Sequence, residues 1–136
     1  MAKNSKLHGL SLTLLRVVLG FMFAYHGYSK LFVAGALPGT AKFFASMGIP
    51  LANYAAVIVA FVELFGGALL ILGVLTRLAS LVLIFEMLVA FFKVHLKQGF
   101  FISQQAYGYE YLLLILAVLI ALLLNGPGKL AVGNFL

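Results

Sequence analysis

Cysteine and aspartate are both missing from the sequence, and glutamate occurs three times, at Glu63, Glu86 and Glu110. Without cysteine there are no disulfides, no thiolate metal ligands and no thiol–disulfide exchange. Charge of any kind is scarce: it makes up 9% of the 136 residues, where a soluble domain carries about a quarter. What stands in its place is apolar, with 65% hydrophobic residues and a mean hydropathy of +1.18. Such a chain cannot cover its apolar side chains with a polar shell, so lipid must solvate much of its surface. The length leaves room for one domain, 1–136.

The net charge of +6 comes from nine Lys/Arg against three Glu. Basic residues here flank hydrophobic runs, where they set orientation and meet anionic head groups. There is no basic stripe on a polar surface, so nucleic-acid binding is not expected.

Four runs are apolar enough to be membrane helices, at about 10–32, 52–75, 78–93 and 109–124. A span takes roughly 20 residues at about 1.5 Å each. The first two runs meet that; Arg77, Lys93 and Tyr107 can extend the shorter third and fourth at the interface. Gly48-Ile49-Pro50 is expected to open the second helix, and Asn125-Gly126-Pro127-Gly128 to stop the fourth. Thr76-Arg77 is expected to form the tight turn between the second and third. The stretch from Thr40, as a cap, to Gly48 reads as a short interfacial helix with Phe43, Phe44 and Met47 on one face. The expected fold is all-α, a polytopic membrane four-helix bundle with this short helix between helices 1 and 2. Lys3, Lys6 and the Ala34-Gly35-Ala36 site mimic a signal peptide. The apolar run is too long for one, and a retained first helix is expected. Lys3, Lys6, Arg77 and Lys129 balance Lys30, Lys42, Lys93 and Lys97 across the membrane; clustering at the first helix favours cytoplasmic termini.

Arg16, Glu63 and Glu86 fall inside apolar runs, and Glu110 opens the last. A charge at the centre of a span costs about 2.5–3.5 kcal/mol, so it should face protein or a wet cavity. At about 100° per residue, Arg16 shares a face with Gly20 and Gly27, Glu63 with Ala56, Ala60 and Gly67, and Glu86 with Ala79 and Ala90. Glu110 lines up with Ala117 and Ala121. Small residues mark the faces on which membrane helices approach closely, which places the charges in a shared interior. Arg16 and Glu86 lie roughly 9 and 12 Å from the side of the termini, and Glu63 about 18 Å. That makes Arg16–Glu86 the expected ion pair and leaves Glu63 a lone carboxyl able to carry a proton, with His26 a second relay candidate. A purely structural role, locking helices in register, is the competing reading. Toward the other side His26, Lys30, His95, Tyr109 and Glu110 form a polar mouth that could take a quinone or a polar head group. The cofactor is left open: a quinone is compatible, whereas axial haem ligation by His26 and His95 is disfavoured because both lie at the rim. No metal site is indicated by the His/Asp/Glu spacing.

Arg16 with Gly20, His26-Gly27 and Lys30-Leu31-Phe32 closely resembles the first helix of DoxX-family membrane proteins. The resemblance continues through Glu63-Leu64-Phe65-Gly66-Gly67, Leu75-Thr76-Arg77 and Val94-His95-Leu96. It runs on through Gly108-Tyr109-Glu110-Tyr111 to Gly126-Pro127-Gly128-Lys129. It implies a small four-helix protein of the bacterial inner (cell) membrane. Family names trace to DoxD-like subunits of a thiosulfate:quinone oxidoreductase, and some members are described as partners of redox-stress enzymes. Residues here that match the family pattern are Arg16, His26, Lys30, Glu63, Arg77, His95 and Glu110. Direct sulfur chemistry is not expected of a chain without cysteine. Three readings remain: a membrane subunit of, or partner to, a quinone-linked oxidoreductase; a small-solute or proton transporter; and a non-catalytic scaffold. All three call for the lipid bilayer and for a partner protein or a homo-oligomer.

Overall fold

The computed structural model describes residues 2–133, with side chains from Asn4 onward; Lys3, counted in the charge balance, lies outside the described side chains. The elements among these residues are helical: α1 (Ala2–Phe32), α2 (Ala36–Ser46), α3 (Ala52–Leu72), α4 (Thr76–Ala90) and α5 (Glu110–Asn125). The molecule is a membrane four-helix bundle of α1, α3, α4 and α5, with α2 as the short helix between the first two. The helices close a ring: α1 packs on α3, α3 on α4, α4 on α5 and α5 on α1.

Helix α1 starts well before the apolar run: no proline lies between Ala2 and Leu10, and the single glycine there, Gly9, does not interrupt it. Helix α2 starts earlier than expected too. Thr40 is not its cap; the Thr40 hydroxyl donates to the Ala36 carbonyl from inside the helix. The start signal is Pro38, which sits in the first turn, where a missing N–H costs nothing. Pro50 likewise does not open α3, which begins after Leu51 in a left-handed conformation (φ 50°).

The α3–α4 turn also differs from the expectation. Helix α3 ends at Leu72, because Gly73 takes a left-handed φ of 72° and the Gly73 and Val74 N–H groups fold back onto Leu69 and Leu70. Gly73–Leu75 is therefore the turn, and Thr76-Arg77 is already helix. At the other end α4 runs on through a π-helical turn (Phe91–His95) and a 3-10 turn (Leu96–Gln98). Thr76–Gln98 thus forms a 23-residue apolar span, and Asn4–Phe32 and Ala52–Leu72 are the other two helices long and apolar enough to cross a membrane. Helix α5, with 16 residues, reaches only about 24 Å. The loop before it is ordered: the Tyr109 and Glu110 N–H groups donate to Gly99 and Phe100, and Ile102 pairs with Tyr107.

Packing follows residue size. On the α1–α3 seam the backbones nearly touch: Gly20 lies against Gly67 and Ile71, Gly27 against Ala60 and Leu64, and Gly67 against Ala24. A Cβ at Gly27 or Gly67 would fall inside the facing backbone. Without a hydrophobic drive between helices in lipid, such close contact supplies the association. The α3–α4–α5 side is filled by bulk instead, with Leu70, Leu83, Leu119 and Leu122 fully buried. The outer faces carry exposed Leu14, Phe21, Phe65, Phe85 and Leu114, an apolar coat that only lipid solvates well.

Candidate functional site

The charged residues separate into two centres. Arg16, fully buried, does not pair with Glu86. Its Nε donates to the Pro127 carbonyl (2.9 Å), Nη1 to the Leu70 (2.5 Å) and Ile71 (2.8 Å) carbonyls, and Nη2 to the Leu130 carbonyl. The reason is the early end of α3. A helix terminus leaves its last carbonyls unpaired, and a guanidinium has five donors to offer. Val132 N–H takes the Leu72 carbonyl (3.0 Å), while Gly73 and Val74 take Leu69, so all four terminal carbonyls of α3 are satisfied. Gly73 is needed for room as well: a Cβ there would lie 2.6 Å from Arg16 Nη1.

Glu63 is not alone. Lys30, in the last turn of α1, makes an ion pair with Glu63 Oε2, the one salt bridge among the described residues. The small residues explain it. Gly27 lets α1 settle onto Ala60 and Leu64, which brings Glu63 level with Gly27, and the long Lys30 side chain bends back one turn to reach it. Glu86 of α4 faces this pair, within interaction range of Glu63 and Lys30, and its Oε2 is buried with no hydrogen-bond partner. Two carboxyls thus share one ammonium, and the cluster balances in charge when the carboxyls hold one proton between them.

These groups open onto a cavity of about 980 Å³. Its walls are apolar, among them Met22 and Phe23 of α1, Phe43 and Phe44 of α2, and Val62 of α3. The polar groups gather together: Lys30, Glu63 and Glu86, with His26 from α1 and His95 from the π-helical turn. His95 Nδ1 donates to the Tyr107 carbonyl (2.7 Å), which fixes that tautomer and leaves Nε2 as an acceptor when the ring is neutral. Of the expected mouth residues, then, His26, Lys30 and His95 line the cavity, and Tyr109 and Glu110 do not. Glu110 Oε1 accepts the Ile102 N–H (3.1 Å), and the Tyr109 ring packs edge-on against Phe91 and Phe100. Both brace the loop behind the cavity.

The cavity has a side opening. Ile58 of α3 and Val82, Phe85 and Val89 of α4 line it while being exposed on the outer surface. Helices α3 and α4 touch where Gly66 receives Leu83, and the gap opens past that point toward lipid. Toward the α3–α4 turn the interior is closed by the buried leucines. Tyr107, which the sequence also places at the mouth, lines the cavity, as do Phe43 and Phe44, which read first as interfacial anchors and second as a ring clamp; Tyr111 is a lining residue that sequence reading misses. Sequence reading misses the π-helical turn as well, for which the sequence holds no signal; such turns occur often at functional sites.

Comparison with known proteins agrees with this architecture. The DoxX family model matches residues 11–96, which carry Arg16, the Lys30–Glu63 pair, Glu86 and His95. A Bacillus subtilis (strain 168) protein named "Putative oxidoreductase CatD" is 34% identical over 122 residues, covering 90% of this chain and 84% of that protein. An uncharacterised protein of Haemophilus influenzae is 33% identical over 126 residues, covering 90% and 88%. No solved structure matches. With a family model matching residues 11–96, more than half of the chain, and relatives covering most of it, this protein belongs to the DoxX family.

Proposed function

We propose that the protein is the membrane subunit of, or membrane partner to, a quinone-linked oxidoreductase, and that the large cavity holds the quinone head group. The observation that carries this reading is the cavity's combination of apolar walls, one polar cluster and a side opening to lipid. Its volume falls within the range of small-molecule sites, roughly 300–1,000 Å³. A ligand dissolved in the bilayer, with a flat ring and two carbonyl oxygens, suits it better than a water-soluble solute. The name of the Bacillus relative points the same way.

A bound quinone would accept two electrons and two protons on becoming quinol, the electrons coming from a partner redox protein. The chain's own residues would supply the rest. Glu63 and Glu86 hold the exchangeable proton, Lys30 keeps the cluster near neutrality, and His26 connects it with the rim. His95, held by Tyr107, orients a hydrogen bond at the mouth, and Tyr109 and Glu110 keep that mouth in shape. Transport is the weaker reading, because the interior is closed toward the α3–α4 turn by Leu70, Leu83 and Leu119.

The test is gentle purification followed by quinone extraction, with quinone-dependent turnover measured in membranes. Bound quinone in the wild type, and at least tenfold lower turnover in Glu63→Gln and His26→Ala, are expected. Wild-type turnover in both variants, or no extractable quinone, would sink the reading. The bundle is read as one unit of the bacterial cell membrane with cytoplasmic termini. Because the chain has no cysteine, Lys6→Cys and Ser103→Cys reporters give clean sidedness: labelling of Ser103→Cys but not Lys6→Cys from outside is expected.

A further inference from the structure

A second cavity, of about 370 Å³, lies at the opposite end of the bundle, between the start of α1, the start of α4 and the segment after α5. His8, Arg77, Asn125, Gly126 and Gly128 are among its walls. We propose that this cavity binds the phosphate group of an anionic lipid.

Three observations support this. The charged side chain in its wall is basic: Glu63 and Glu86 line the large cavity and Glu110 is bonded into the 99–109 loop, so no glutamate among the described residues lies here. Its arginine is also available. Arg16 is claimed on every side by carbonyls, whereas the hydrogen bond recorded for Arg77 is a long one, 3.4 Å to the Leu124 carbonyl. The Arg77 guanidinium lies over Gly126, where even a Cβ would stand 3.6 Å from Nε, and His8 lines the same cavity. A planar guanidinium matches two phosphate oxygens at once, and an imidazole adds a further donor.

The third observation selects the lipid source. The cavity sits where α3 ends, α4 begins and α5 ends, the level at which the chain leaves the hydrocarbon. Exposed Leu7, Leu78 and Leu124 surround it, and exposed Lys6 and Lys129 add positive charge nearby. A soluble phosphate has no use for an apolar rim; a phospholipid lays its acyl chains along one. Each basic side chain near an anionic surface contributes about fivefold in binding.

The experiment is native mass spectrometry of the full chain titrated with phosphatidylglycerol or with phosphatidylcholine, and separately with inorganic phosphate. Preferential phosphatidylglycerol adducts, reduced about fivefold in Arg77→Gln and measurably in His8→Gln, are expected. Lys42→Gln, at the other end of the bundle, should retain them. Thermal unfolding of each variant separates lost binding from lost fold, and His8, exposed on the first turns of α1, is a substitution the bundle should tolerate. Equal retention of the two lipids, or a preference unchanged in both Arg77→Gln and His8→Gln, overturns the proposal. Arg77-dependent binding of inorganic phosphate without a lipid preference overturns the lipid assignment.

Discussion

Lys30 and Glu63 meet across the α1–α3 seam because the neighbouring residues, Gly27 and Ala60, have almost no side chains to hold the helices apart. Side-chain exposure is 18% for Lys30 and 9% for Glu63, so removing Lys30 leaves two mostly buried carboxyls without their cation, whereas removing Glu63 leaves Lys30 with Glu86 alone. Lys30→Met should destabilise the bundle by about 3–5 kcal/mol, and Glu63→Leu by less, because Glu86 still faces Lys30. The double variant should recover most of that loss, as read by thermal unfolding in nanodiscs. Additive losses would mean that the two residues act separately.

The seam itself is testable without touching charge. Gly27→Ala puts a methyl group into the backbone of Leu64, and Gly67→Ala into that of Ala24. Each should cost about 1–3 kcal/mol through overpacking. Gly39→Ala, where a Cβ meets nothing within 4 Å, should be near neutral by the same measurement.

Arg16 should be irreplaceable by lysine. An ammonium has three donors, and four carbonyls at Leu70, Ile71, Pro127 and Leu130 are now satisfied from three nitrogens. Arg16→Lys should lose about 1–3 kcal/mol for the groups left unpaired. Limited proteolysis should then cut after α5 before it cuts elsewhere. An unchanged cleavage pattern would count against the four-carbonyl arrangement.

If the ligand enters from lipid, a bulky side chain at the side opening should discriminate by tail length. Val82→Trp or Val89→Trp should weaken binding of a long-tailed quinone at least tenfold and leave a tail-less analogue nearly unaffected. Equal effects on both would place the entrance elsewhere, whereas loss of all binding in the wild type would reject the quinone reading itself.

How much of this could be read from the sequence depends on whether side chains or backbone carry the feature. The four apolar runs and the small-residue faces were legible, and those faces did lead to Arg16, Glu63 and Glu86 as interior groups. The pairing was not. Arg16 was matched with Glu86 by depth, because both are side-chain charges and can be seen in a sequence. The carbonyls that hold Arg16 become available only when Gly73 ends α3 at Leu72 and the segment after α5 returns across the bundle. In the sequence Lys30 reads as a mouth residue and Glu63 as a lone carboxyl, because depth assigns Arg16 to Glu86. They meet because lysine is long and Gly27 allows the approach. Pro38 is a start signal for α2; with it the cap falls at Gly35, five residues before Thr40, and Phe43 and Phe44 lie in the helix that walls the cavity.

The coordination of Arg16 also imposes an order of assembly. The guanidinium belongs to α1, which is made before the other described helices, and two of its acceptors, Pro127 and Leu130, are synthesised more than a hundred residues later. Throughout that interval α1 must hold a charge whose shell is incomplete, near a membrane that penalises it. The shell of Arg16 is therefore complete only once the segment after α5 is in place, and that segment closes the fold rather than trailing from it.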